Sequence, residues 1–204
     1  MLEPHELQAF FSEVHIRVTR EIGKLMEGFY HNVEDGLFEH AYAQEDESLH
    51  RRAMETMREL RFRHQQLIDT FKQSIHAAGQ GWLGQPVVTA HSHREQAAAK
   101  QMAGRCLAHF GALLQTITER TAHASRRDIQ RSELPISPEI IARCFLESCH
   151  SVAFDNAVIE MVKSLFERFV LDRLGTLYGD INVALQDAGY MTQAEHRALM
   201  EHSA

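Results

Sequence analysis

Cysteine is scarce in this 204-residue chain: Cys106, Cys144 and Cys149 are the only three, an odd number with no C-x-x-C spacing. That count argues against a disulfide framework and a thiolate zinc site. Packed, reduced thiols of a cytoplasmic protein are the expectation. Proline (4) and glycine (11) are too few to supply a turn every 8–12 residues, as an all-β sandwich requires. No apolar run approaches the roughly 18–20 residues of a membrane span, and Met1-Leu2-Glu3-Pro4-His5-Glu6 lacks the basic and apolar regions of a signal peptide. Charge of one sign never accumulates into a nucleic-acid surface. Residues 1–50 carry 3 Lys/Arg against 11 Asp/Glu, residues 51–133 carry 13 against 7, and residues 134–204 carry 5 against 10.

What is present is apolar periodicity at helical pitch. Behind Pro4, residues Leu7, Phe10, Phe11, Val14, Val18, Ile22, Leu25 and Phe29 recur at steps of one, three and four, which predicts an amphipathic helix to about Tyr30. Asp35-Gly36 then reads as a corner, with Leu37-Phe38 and Ala41 in a brief helix after it. Leu49, Ala53, Met57, Leu60, His64, Leu67, Phe71 and Ile75 alternate threes and fours over nearly four heptads and predict a second full-length helix. From Gln73 to His93 there is no Asp, Glu, Lys or Arg, and Gly79, Gly81, Gly84 and Pro86 surround Trp82, the one tryptophan. This predicts a helix end and a flexible loop near 79–92.

Helical pitch resumes near Ser92 with Ala99, Met102, Cys106, Phe110, Leu113 and Ile117 on one face, and breaks in a flexible stretch near 124–137. Ser137-Pro138-Glu139 is a helix start: a hydroxyl that accepts from free amides, a ring that fixes φ, and a negative charge at the positive end of the dipole. The helix it opens carries Ile140, Ile141, Cys144 and Phe145 and ends near Phe154-Asp155. Val158 to Val170 is apolar over half its circumference, so it is expected at the centre of the domain. Leu177, Tyr178, Ile181 and Leu185 continue the pattern past Gly175 and Gly179, either of which could interrupt it. Gly189 suits a C-cap, and Thr192-x-x-Glu195 a capping box. The expected fold is all-α: an antiparallel helical bundle of three long helices plus shorter ones, forming a single domain over 1–204.

Asp35-Gly36-Leu37-Phe38-Glu39-His40-Ala41, the run from Ala53 to Arg61, and the block from Leu134-Pro135-Ile136-Ser137-Pro138 through Leu165–Leu171 to Leu177-Tyr178-Gly179-Asp180-Ile181-Asn182 resemble the amino-terminal part of the bacterial DUF1631 family. The likeness spans about half the chain, in order, as a pattern of apolar and small residues. Family members are generally longer, so the resemblance implies a small stand-alone relative or a piece of a longer protein. It implies no established biochemical role.

Residues with chemistry are few and do not converge in sequence. Gly79-x-Gly81-x-x-Gly84 has dinucleotide spacing but follows a helical pattern rather than a strand. Glu47/His50 and Glu147/His150 have the Glu-x-x-His spacing of di-metal bundles, yet with 14 histidines chance supplies about one or two such pairs. His91-x-His93 lies in the loop. His64 takes a core position and is expected to be satisfied by a polar neighbour. Cys149 and His150, adjacent in sequence, point about 100° apart on a helix. No catalytic residue, metal ligand or cofactor is therefore assigned.

The face of the second helix opposite its apolar stripe carries the one unexplained feature. Arg51, Arg58 and Asp69 lie there, Arg61, Gln65 and Lys72 lie to one side, and Phe62 emerges about 200° from Leu60. The expectation is a non-enzymatic regulatory or adaptor module that binds another protein, or a second copy of itself as a homodimer, through Arg51, Arg58, Arg61, Phe62, Gln65 and Trp82. The acidic first fifty residues are a candidate complement, and Ile16 hints at a second contact. Two rivals stand beside it: a sensor in which Arg51, Arg58 and Arg61 grip an anionic nucleotide or metabolite, and a di-metal helical-bundle oxidoreductase.

Overall fold

A computed structural model describes residues 4–42, 47–83, 93–152, 154, 156–192, 194, 195, 198 and 201. Among them there is no strand. The helices are α1 (Pro4–Tyr42), α2 (Glu47–Ala78), α3 (His93–Ser125), α4 (Pro138–Ser151), α5 (Asn156–Phe169) and α6 (Gly175–Asp187), with 3-10 turns at Gly79–Leu83, Arg131–Glu133 and Leu171–Arg173. α1 and α2 form an antiparallel hairpin: Tyr42 meets His50, Glu34 meets Arg61, Glu27 meets Lys72, and His15 meets His76. α3 and α4 are also antiparallel, with His150 against Glu95. α6 departs from the antiparallel expectation. Gly175 lies at Phe110 and Asn182 at Arg120, so α6 advances in the same direction as α3.

α1 continues through the predicted corner for 39 residues. The sequence reading failed at Gly36, where glycine serves packing rather than a break. A Cβ there would sit 2.7 Å from Leu165 Cδ2, so the bare backbone lets α5 approach α1. The predicted centre also moves. In α4 nine of fourteen residues are buried, whereas α5 exposes Asn156, Glu160, Ser164 and Arg168 along one side. α4 is the enclosed helix, and α5 covers it. Their meeting point is aromatic: Phe145 and Phe166 stack with centroids 3.9 Å apart, and Phe29 and Phe71 close on Phe166 at 5.9 and 6.0 Å. Rings from α1, α2, α4 and α5 thus share one contact, and edge-to-face geometry fixes their mutual angles.

The caps follow their chemistry. Ser137 Oγ accepts from the Ile140 amide with Pro138 in the first turn. Gly189, at φ +81°, closes α6 with Gly189 N–H to Gln186 O and Tyr190 N–H to Leu185 O, the paired bonds of a Schellman ending. The Thr192/Glu195 box forms in both directions, at 2.7 and 3.2 Å. The break after α5 falls at Val170–Leu174, ahead of both suspected glycines. At Gly175 a Cβ would lie 2.6 Å from the Phe110 ring.

The stretch 124–137, expected to be flexible, is pinned. Ile129, Leu134 and Ile136 are buried, Gln130 and Glu133 cap the short turn, and the Tyr178 hydroxyl donates to Ile136 O at 3.0 Å. Residues 84–92 of the other predicted loop, with His91 and Pro86, lie outside the described residues, as does the side chain of His93.

Candidate docking surface

α2 has two long faces because its apolar residues recur at three and four. Ala53, Leu60, Leu67, Phe71, Ile75 and Ala78 point inward and are buried. The residues about 180° away must then face solvent. There Phe62 stands 85% exposed, the most exposed of the large apolar side chains among the described residues. It lines an open depression of about 660 Å³ with Met54, Met57, Arg58 and Arg61.

The apolar character continues onto α1. Phe38 and Tyr42 are exposed and their rings lie 4.1 Å apart; Tyr42 packs edge-on against His50 at 4.2 Å; and His50 stands one helical turn before Met54. Of seven exposed large apolar side chains among the described residues, Phe38 and Tyr42 lie at the Tyr42–His50 contact, Met54 and Phe62 line the depression on α2, and Ile16, Leu113 and Val183 stand elsewhere. Clustering of this kind marks a contact surface more strongly than any single exposed side chain does.

The expected site residues divide. Arg51 and Arg58 are exposed and make no ion pair among the described residues. Arg61 is engaged within the chain: both arms of its guanidinium bond the Glu34 carboxylate, which raises the Arg61 pKa and holds the Glu34 carboxyl below its ordinary range. Lys72 likewise bonds Glu27 at 2.9 Å, so the acidic α1 supplies intramolecular partners for the side of the basic face nearest to it. Gln65 donates to Asp69 at 3.0 Å. The three-arginine anion grip loses its geometry here, because the fork of Arg61 is already filled.

Trp82 is withdrawn from the surface. It is 1% exposed, stacks on Phe11 at 5.5 Å, and donates its indole N–H to His15 Nδ1 at 3.2 Å. That bond puts the His15 proton on Nε2, which faces the His76 carbonyl at 3.1 Å. Burial lowers the His15 pKa, with bonding to the His76 carbonyl opposing and the nearby His76 adding to the depression. Gly79 makes room for the ring, since a Cβ would fall 2.4 Å from it. Gly79 and Gly81 therefore serve packing, Gly79 against His15 and Gly81 against the Glu133 carbonyl and the Pro135 ring.

The other chemical candidates disperse as well. His64 faces solvent at the hairpin edge and bonds Arg61 O at 2.9 Å instead of entering the core. His150 turns outward to Glu95 at 3.1 Å, and Cys149 is buried. Desolvation pushes the Cys106 and Cys144 thiols up to about 12 and raises Cys149 too. No group of three His, Cys, Asp or Glu among the described residues is arranged to hold a metal. Among the described residues no helix is long and apolar enough to cross a membrane.

Residues 6–189 match the family described as "Protein of unknown function (DUF1631) N-terminal domain". The chain belongs to the DUF1631 family. The match takes in nearly the whole chain, more than the half that the quoted motifs carry, and it includes α2 and all but the first two residues of α1. No curated protein and no solved structure matches the chain.

Proposed function

We propose that this DUF1631 chain is a regulatory or adaptor module that binds another protein through the outer side of its α1–α2 hairpin and performs no chemistry of its own. The observation that carries the reading is Phe62, 85% exposed in a depression that it lines with Met54, Met57, Arg58 and Arg61. An aromatic anchor flanked by arginine is the composition of interface hot spots. Arg51 and Arg58 suit a partner carrying carboxylates at the rim. A cytoplasmic location goes with this reading, since three buried, unpaired cysteines suit a reducing compartment.

The test is Phe62→Ala combined with Arg58→Ala, read by the mass of cross-linked complexes purified from native cells. Both side chains are exposed, so the melting temperature should stay within about 2 °C of wild type. Loss of the complex at unchanged stability supports the reading. A complex of unchanged mass and yield overturns it.

A further inference from the structure

The outward stripe of α2 is itself periodic. Arg51, Glu55, Arg58, Phe62, Gln65 and Asp69 follow one another at steps of 4, 3, 4, 3 and 4, and all six are exposed. Steps of three and four keep the six side chains in one line along a helix, here on the side of α2 away from the core. The order of residue types adds a second property. Reversed end for end, the stripe places Arg51 opposite Asp69, Glu55 opposite Gln65, and Arg58 opposite Phe62.

We infer that the occupant of this face is a second copy of the chain, with the two α2 helices antiparallel about a two-fold axis between Arg58 and Phe62. The inference rests on the reading that this face binds protein. In that arrangement each end carries an Arg51–Asp69 ion pair, each inner layer sets a Glu55 carboxylate against a Gln65 amide donor, and the two central layers set Arg58 over the partner's aromatic ring. The pairing of alternate layers is that of antiparallel coiled helices. A two-fold contact is self-complementary by construction, so each favourable pair occurs twice.

Parallel alignment would set Arg51 on Arg51 and Arg58 on Arg58, and no other antiparallel register engages all six residues. The intramolecular bonds leave the arrangement open. Gln65 reaches only one Asp69 oxygen, Oδ1, and Arg51 and Arg58 have no ion pair among the described residues. Glu34 holds Arg61 aside toward α1, out of the stripe.

Charge exchange tests the register. Arg51→Asp places Asp against Asp69 at both ends, and Asp69→Arg places Arg against Arg51 at both ends. Each single variant should therefore weaken self-association by about tenfold or more in sedimentation equilibrium at low salt. The variant carrying both changes should return to within about threefold of wild type, because the pairs are restored with their signs exchanged. Mixing the two single variants should give a heterodimer at least about tenfold tighter than either homodimer.

Circular dichroism and melting temperature verify that each variant folds. A chain that stays monomeric at several hundred micromolar, a dimer indifferent to both single changes, or single variants that fail to associate when mixed would each overturn the second-copy assignment. If that happens while Phe62→Ala with Arg58→Ala still abolishes the cellular complex, only the identity of the occupant has failed. If the double alanine variant leaves the cellular complex intact, the protein-binding reading itself has failed.

Discussion

Trp82 and His15 form a buried polar pair whose protonation can be followed site-specifically, because the chain has a single tryptophan. His15 is 6% exposed, accepts from Trp82 through Nδ1 and faces the His76 carbonyl through Nε2. Adding a proton at Nδ1 points two N–H groups at one another. In the unfolded chain His15 takes up its proton near the ordinary 6.5, while the folded ring requires a lower pH because burial opposes the charge. Between those values the unfolded state binds more protons, so this contribution to stability is complete above about 6.5 and is lost as pH falls toward the folded value. His76, whose ring centre lies 5.8 Å away, adds to the depression of the His15 pKa. Replacing His15 with Leu removes both the ionisation and the acceptor. At pH 8 the indole N–H is then buried without a partner, at a cost of about 1–3 kcal/mol, a large share of the roughly 5–15 kcal/mol that holds a domain of this kind. Urea unfolding followed by tryptophan emission should show His15→Leu less stable than wild type at pH 8, with the gap narrowing as pH falls from 7 toward 5. Equal pH slopes in the two proteins, or no difference at pH 8, would refute the hydrogen-bond assignment.

Two glycines of opposite environment separate packing from propensity. Gly81→Ala puts a methyl 2.8 Å from the backbone carbonyl of Glu133, which has little freedom to move, and should destabilise by about 1–3 kcal/mol in thermal unfolding. Gly104→Ala, within α3 with nothing near its Cβ, should stabilise by about 0.5–1 kcal/mol on the same assay. The three thiols, buried and shifted upward by desolvation, should resist an alkylating reagent at pH 8 in the native protein and react in urea. Rapid native labelling of any of them would contradict its burial.

The core was legible where one periodicity ran unbroken. Leu60, Leu67, Phe71 and Ile75 entered as the threes and fours required, because burying one stripe of a helix leaves few alternatives. The departures share a cause: a local rule was applied where a distant contact decided. Gly36 reads as a breaker by propensity, yet Leu165, far along the chain, makes a missing Cβ useful. Leu113 was assigned inward, but its neighbour Leu114 is the buried residue, a rotation of one position that the apolar pair cannot resolve alone. His64, expected in the core, lies outside, and the buried histidine is His15. Phe11, His15, Val18 and Ile22 do follow the 4-3-4 pattern, so the position of His15 was readable; its partner, 67 residues away, was not. Arg120, 4% exposed and bonded to Asn182 and Glu195, left no sequence signal, because a buried arginine is defined by acceptors that only the fold assembles.

The outer face of α2 was legible in composition and misread in membership, for a reason that bears on function. Folding constrains an inward residue strongly and an outward one hardly at all. The spacing of the outward positions follows from helix geometry opposite the buried stripe, but which side chains occupy them does not. Phe62 alone is compatible with chance, since isolated exposed apolar residues are common. Six exposed side chains in one line that pair favourably when reversed are a narrower coincidence, because reversal symmetry does nothing for the monomer. Trp82, an aromatic residue among glycines, has the composition of such a surface without its exposure. With the indole bonded to His15, the surface contracts to the α1–α2 hairpin, where Met54 stands beside the stripe. An interface built there would leave the Phe29–Phe71–Phe145–Phe166 contact untouched, so changes on the stripe should alter association with little effect on folding.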